Sequence, residues 1–536
     1  MSLLDRRTVL IAGAAVTLAG CGNEKKNAGG TTSPSQTPTS STSAPTPTTS
    51  APSSTAPSKT ASSSTAPGTT AVPGSTTPSS TPTTPNTSAP TLTSTAPNWN
   101  SFSRSLTGRL YLSATPGYAA AHQLFNPRWD AVRPTAVVKA ANASDVQKAI
   151  NFARANRLVL VPKSGGHSYV GASTIANGMQ VDVGGLRSMS YSNGVLTVGA
   201  GARLYDVHAF LDRYGRSLPT GTCPTVGVAG LTLGGGMGIH TRTYGLTCDR
   251  VVSMGVFTAD GKSHNVSASS EPDLFWALRG GGGGNFGVVT SFRFSTIPAT
   301  RLGFFRLTWP ESQAAAVVRG WQKFAQTAPA TAWGNLHIDA KSNGTLSIHV
   351  LGVSTTGNAN AAAAQLESFV GARASARTIS VKSHLEAVKY LGGGTTSPRQ
   401  GFLAGSDVLK GPMNAAAITA LLGAVKAAAR AGTPASAILD PLGGQAAKQP
   451  AGGSSWPWRS ALGTVQWYSS SQNSGARTFI ANGHRAVRSY SAGAYVNYLE
   501  AGRPVSAYYG ASAAKLHAAK KKYDPTNFFH TPYTLA

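Results

Sequence analysis

The sequence predicts an α+β fold of two interlocked parts, preceded by a segment that stays outside it. Three observations carry this. From about Gly29 to Pro97 the chain is almost wholly Ser, Thr, Pro, Ala and Gly, a composition that buries too little apolar surface to offset the conformational entropy of folding. From Asn98 onward, short apolar runs of strand character alternate with helical periodicity among glycine-rich turns. Between about Phe304 and Ser491 the pattern becomes alternating helices and strands, which suits an antiparallel sheet backed by helices. The stretch from Asn98 to Ala536 is long enough to fold on its own core. With only three cysteines in the chain, no structural disulfide is required.

At the front, Asp5-Arg6-Arg7-Thr8-Val9-Leu10 precede an apolar stretch from Ile11 to Gly20, too short for a stable bilayer span and read as a secretory signal. The adjacent arginines resemble a twin-arginine signal, which carries folded cargo; the alternative is an ordinary positive n-region of the general secretory route. Leu18-Ala19-Gly20-Cys21 resembles a lipobox, in which the cysteine becomes lipidated. The expectation is an exported bacterial protein, anchored by lipid on the outer face of the cytoplasmic membrane or at the cell surface, or released from it. Residues 22–97 would then be its disordered tether. Leader and tether hold five basic and two acidic residues, so +24 of the formal net charge of +27 belongs to the folded part. These charges are dispersed and no nucleic-acid module is recognisable. Attraction to anionic envelope polymers is therefore favoured over specific nucleic-acid binding.

Along the folded part, Ser144-Asp145-Val146-Gln147 has capping-box spacing, and Val146, Ala149, Ile150 and Ala153 recur at helical spacing. Leu158 to Val161 reads as a buried strand ended by Pro162. That exit leaves Lys163 to Ser168 at a sheet edge with free backbone N–H groups, suited to an anionic group such as pyrophosphate. Val181-Asp182-Val183 and Val195 to Val198 read as further strands, and Leu204, Val207, Leu211 and Tyr214 as an amphipathic helix stopped by Gly215. A Gly-x-Gly-x-x-Gly match, Gly282 to Gly287, lies between an expected helix (Asp273 to Leu278) and an expected strand (Val288 to Phe294). This is the reverse of a Rossmann turn and argues against nicotinamide binding. Farther on, Gln313 to Ala325 and Asn414 to Ala429 read as helices, and Leu346 to Val353, Ile438 to Leu442 and Val465 to Ser469 as strands.

Chemistry concentrates in two glycine-lined turns. One is Pro162-Lys163-Ser164-Gly165-Gly166-His167-Ser168-Tyr169, the other Gly221-Thr222-Cys223-Pro224-Thr225-Val226-Gly227, and each presents a nucleophilic side chain where backbone can approach a flat ligand. Val228 to Gly238, Tyr244-Gly245-Leu246, Asp249, Asp273 to Arg279 and Gly280 to Thr290 follow in order, and Ala494 to Tyr498 and Tyr523 to Phe529 close the chain. Phrase by phrase, this succession resembles the berberine bridge enzyme-like group of the vanillyl-alcohol oxidase/p-cresol methylhydroxylase (PCMH) flavoproteins. The resemblance implies a PCMH-type FAD-binding domain over residues 98–300, a substrate domain over 301–491, and a segment, 492–536, that returns to the FAD domain.

It further implies FAD bonded twice, through His167 at the 8α-methyl and Cys223 at ring carbon 6. Lys163, Ser164, Gly165, Gly166, Ser168, Gly221, Thr222, Gly227, Gly230, Val289, Asn497 and Asn527 would complete the cofactor site. No metal is expected. The implied reaction is hydride transfer from a carbinol carbon to the flavin, with a base taking the hydroxyl proton. Strand alternation puts Gln466 and Tyr468 on one face and Trp467 on the other, with Gln466 as substrate orienter. Tyr495 is the candidate base and Tyr169 a second candidate. Relatives that oxidise aromatic alcohols carry a lysine and a tyrosine where this chain has Thr464 and Met237, so the activation of Tyr495 is open. Val226, where a smaller side chain leaves room for O2, favours an oxidase over a dehydrogenase. Trp333, Trp456, Trp458, Trp467 and Tyr468 either stack on substrate or fill core. Substrates in view are alcohols, sugars and aromatic alcohols. The alternatives are a secondary-metabolite tailoring oxidase or dehydrogenase of the same group and a non-enzymatic envelope-binding lipoprotein.

Overall fold

The computed structural model describes residues 96–535; the leader, Cys21 with its lipobox, and nearly all of the tether lie outside them. Order opens with helix Trp99–Ser105, whose first turn is capped by the Asn98 side chain. No described helix is long and apolar enough to cross a membrane.

Three sheets organise the chain. The first has four strands in the order Arg109–Leu112, Ala136–Lys139, Met179–Asp182 and Leu160–Lys163, the last three parallel. The second is five-stranded and antiparallel, with Val288–Ser295 at its centre. Both share one apolar core with helices Ala143–Ala155 and Leu204–Asp212. The third sheet has eight strands, ordered Ala376–Lys382, Leu302–Trp309, Leu346–Ser354, Ala332–Ala340, Ser436–Pro441, Gly463–Ser469, Leu403–Leu409 and Ser491–Gly493. Its odd and even residues diverge as a pleated strand requires. Leu336, Ile338, Ile348, Leu439, Val465 and Trp467 pack under helices Ala314–Thr327, Ala415–Arg430 and Ser474–Val487. Trp333, Asn335, Ile438, Asp440 and Gln466 point to the other face and line a cavity.

After Gly493 the chain re-enters the first core through Ala494, Val496, Tyr508, Leu516 and Phe529. Lys520 pins this return: its buried ammonium donates to Asn285 O (2.8 Å), Asp524 Oδ2 (2.7 Å) and Phe529 O (2.6 Å). The glycine run before Asn285 is thereby fastened to the C-terminal segment, and the Asn285 side chain adds bonds to Gly281 O and Leu535 N. Helix Pro272–Ala277 precedes this run and strand Val288–Ser295 follows it, which is not Rossmann geometry.

Local readings needed correction at three places. The helix expected from Ser144 begins at Ala143 and is capped by Asn142. Gln147 instead donates to Gly261 O (2.9 Å), and the Asp145 carboxylate accepts from the Thr107, Gly108 and Ala141 N–H groups. The strand expected at 158–161 runs Leu160–Lys163 and continues through Pro162. It is an edge strand of its sheet, where a residue without an N–H costs no ladder bond. Helix Leu204–Asp212 stops before Tyr214, which is 47% exposed and lies outside the buried stripe of Leu204, Val207 and Leu211.

Candidate active site

Both glycine-lined turns are loops, one following strand Leu160–Lys163 and the other leading into helix Val228–Leu233, and they fold back to back. Gly165 and Gly227 are the contact: a Cβ on Gly165 would collide with the backbone nitrogen of Gly227, and one on Gly227 with Ser164 Oγ. These glycines serve the approach of one loop to the other. At Gly230, by contrast, a Cβ would meet nothing within 4 Å. Gly166 takes φ +69°, so the turn that aims His167 inward needs a residue without a side chain. The His167 ring stacks on Phe125 (centroids 3.9 Å), and its Nε2 bonds the Thr225 hydroxyl at 3.0 Å. One loop's histidine is thus held by the other loop.

A cavity of about 300 Å3 lies beside these loops. Of the sequence-read residues, His167, Cys223, Lys163, Ser164, Gly165, Gly166, Ser168, Gly221, Thr222, Gly227, Gly230, Val289, Asn497, Val226, Tyr169, Gln466 and Tyr495 all line it. Three assignments change. Asn527 is not on the lining; it sits at φ +51° in the turn after Asp524, a conformation asparagine tolerates. Lys163 borders the cavity, but its ammonium is committed to Asp182 (3.2 Å) and Ala121 O (3.2 Å) rather than free for a phosphate. Trp456, Trp458 and Trp467 are core residues and Trp333 alone of the tryptophans borders the cavity.

At the sheet end, Gln466 Nε2 donates to Tyr169 Oη at 2.7 Å. Tyr169 stacks on Tyr498 (5.1 Å, 5° between planes), and Tyr498 meets Tyr495 edge-on at 4.9 Å. Tyr495 Oη accepts from Gly236 N–H (3.0 Å) and Asn497 Nδ2 (2.8 Å). Burial raises the pKa of both Tyr169 and Tyr495 above the ordinary phenol value, so both are protonated phenols. His167 moves the other way: burial, aided by Arg203, lowers it to about 3, which leaves the imidazole neutral.

Asp440 is the cavity residue that motif reading missed. Burial raises its carboxyl to about 7, although its side chain is open to the cavity. It lies across from Thr464 in the strand pair and two residues from Ile438 on the same face. The signal was present: a lone carboxylate inside the apolar run Ile438-Leu439-Asp440-Pro441-Leu442.

Residues 134–267 match the family model of the FAD binding domain and residues 494–533 that of berberine and berberine-like proteins. The FAD-linked oxidoreductase YvdP of Bacillus subtilis is 30% identical over 453 residues, covering 81% of this chain and 99% of YvdP. The chain belongs to the berberine bridge enzyme-like FAD-linked oxidoreductases. Among solved structures, berberine bridge enzyme-like 1 of Physcomitrella patens superposes with a TM-score of 0.75 at 26% identity, over 82% of this chain and 98% of that one. Glucooligosaccharide oxidase of Sarocladium strictum is 37% identical over 224 residues, 40% of this chain and 44% of that enzyme. With several other curated relatives, too, the aligned stretch spans half or less of their length.

As a member of this family the protein is a FAD-dependent oxidoreductase of α+β fold. The residues present fit the cofactor. His167 is buried, neutral and on the cavity lining, where a neutral imidazole keeps one nitrogen lone pair, and on the same lining a side chain at Gly230 would meet nothing within 4 Å. Cys223 lies on the lining of the same cavity. The buried Cys248 is free, neighbours the Asp249–Arg459 ion pair (2.6 Å), and lies in the core rather than on the cavity.

Proposed function

We propose that the protein oxidises a carbinol carbon of an alcohol or carbohydrate, with FAD attached through His167 and Cys223 and O2 as the final acceptor. The reading rests on one observation: the two nucleophile-bearing loops and the group Gln466, Asp440 and Tyr495 border the same cavity. Similarity to glucooligosaccharide oxidase supports a carbohydrate.

When bound, FAD accepts a hydride from the substrate carbon. The hydroxyl proton must leave as well, and Asp440 is the group tuned to take it, being a carboxylate above about pH 7 and a carboxylic acid below. Gln466 orients the substrate hydroxyl from the neighbouring strand, and its amide is held by Tyr169. Tyr495 is the alternative acceptor. Gly236 and Asn497 donate to its oxygen and would stabilise a phenolate, but burial opposes ionisation. Val226 borders the same cavity and leaves space for O2. Export with a lipid at Cys21 belongs to the proposal; loss of acyl-chain labelling in Cys21→Ser supports it, and unchanged labelling excludes that anchor.

The test is a purified yellow protein mixed anaerobically with a panel of alcohols and oligosaccharides. Bleaching of the flavin followed by H2O2 on readmission of air supports the reading. Bleaching without peroxide makes the enzyme a dehydrogenase, and a flavin that no alcohol or sugar bleaches removes the substrate assignment.

A further inference from the structure

On the cavity face of the eight-stranded sheet, but off the cavity lining, two histidines with unpartnered buried nitrogens converge on a carboxylate. His337 lies directly opposite His349 in the pairing of strands Ala332–Ala340 and Leu346–Ser354. Asp339 is two residues beyond His337, on the same face. The imidazoles stack with centroids 4.7 Å apart and planes 10° from parallel. His349 Nδ1 is 3.5 Å from Asp339 Oδ2, and His337 Nδ1 is 4.0 Å from Asp339 Oδ1. Neither distance is that of a sound N–H···O bond. His337 Nε2 and His349 Nδ1 are buried and have no hydrogen-bond partner. Unsatisfied buried imidazole nitrogens in a core strand are costly, and here they accompany a carboxylate within 4.8 Å.

From these contacts we infer a divalent transition-metal site, of the zinc class, ligated by His337, His349 and Asp339. Bonds of about 2.0–2.1 Å to nitrogen and oxygen set two donors of one tetrahedral ion about 3.3 Å apart. The donors stand 3.5 and 4.0 Å from the carboxylate and within 4.8 Å of one another, so the two stacked rings must tilt toward a common point to reach it. Ser436 Oγ donates to Asp339 Oδ1 at 2.7 Å, orienting the carboxylate as an outer hydrogen bond orients a metal ligand. The two histidines are 2% and 6% exposed, whereas the Asp339 side chain keeps 28%. Solvent and ion therefore enter at the carboxylate, and water completes the coordination.

Ligand type selects the ion. Two imidazoles and one carboxylate favour zinc, copper or nickel over magnesium or calcium, which take all-oxygen sites. Across the sheet, His349, His337, Ile438 and Gln466 stand in one register row. An ion would clamp the two central strands beside the one that carries Ile438 into the cavity, and its binding is independent of the flavin chemistry.

The experiment uses the full chain with its flavin, purified without a histidine tag, stripped with chelator and titrated with Zn2+ by calorimetry. One equivalent should bind to the wild type, with affinity falling at least tenfold in Asp339→Asn and to background in His349→Ala. Absence of a stoichiometric event, or variants that bind as the wild type does, would overturn the site. Should the variants lose flavin or fold, the wild type alone still decides. One equivalent of Cu2+ should give an electron paramagnetic resonance spectrum with hyperfine splitting from two imidazole nitrogens, and a spectrum without nitrogen splitting refutes the assignment.

Discussion

Gln466 donates to the hydroxyl of Tyr169 at 2.7 Å, a bond between residues 297 apart in the chain that ties strand Gly463–Ser469 of the large sheet to the loop following His167. Because Tyr169 also stacks on Tyr498, the amide reports on both halves of the site. Gln466→Ala is expected to raise KM and slow flavin reduction by about 10- to 100-fold, with Tyr169→Phe milder. In the double variant the two losses should fall short of additive, since each removes the same bond. Stopped-flow reduction of the four proteins measures this, and full additivity would mean that the bond has no functional weight.

Asp440 carries the pH dependence. Its carboxyl, raised to about 7 by burial, is neutral at low pH and becomes a proton acceptor as pH rises through that value. Flavin reduction should therefore climb between about pH 6 and 8. Asp440→Asn should flatten the profile and lower the rate by about 10²–10⁴-fold with flavin content unchanged. If Tyr495→Phe, rather than Asp440→Asn, causes the collapse, the phenol is the base.

Covalent attachment predicts that the flavin colour survives acid precipitation. His167→Ala or Cys223→Ala alone should keep a linked flavin, and only the double variant should release it all. Free FAD in the supernatant of the wild type would end the bicovalent reading.

His484 makes stability depend on pH. Burial alone would lower its pKa, but hydrogen bonds to Asp407 (2.6 Å) and Glu500 (2.7 Å) raise it to about 9. A folded-state value above the unfolded one of about 6.5 means stabilisation that is complete below about pH 6.5 and lost as pH rises through about 9. The shift corresponds to something on the order of 3 kcal/mol. The Tm deficit of His484→Gln should thus be largest near pH 6 and shrink by pH 9.5, and a deficit independent of pH would show that packing rather than charge accounts for it.

Much of the site was legible because it sits in contiguous turns. His167 and Cys223 each lie within a short phrase whose neighbours form the loop that presents them, and both loops border the cavity as read. Strand alternation placed Gln466 and Tyr468 on one face, and the family resemblance singled out Gln466, which lines the cavity. Asn527 misled because its phrase belongs to the C-terminal anchor of Lys520 and Asp524, which supports the site without touching it.

Amphipathic periodicity, turn chemistry and the order of the glycine phrases were readable directly, since each reflects sterics or burial acting over a few neighbouring residues. What required the folded chain were the relations set by cross-strand register. Asp440 faces Gln466's end of the cavity, and His337 meets His349, only because strands Ala332–Ala340, Leu346–Ser354, Ser436–Pro441 and Gly463–Ser469 pair in one alignment. The same holds for the box expected between Ser144 and Gln147, whose glutamine amide donates instead to Gly261 O, 114 residues away. A one-residue slip in any of these pairings would turn a cavity residue into the core. Register is fixed by the packing of the whole face and leaves no mark on the few residues around each site.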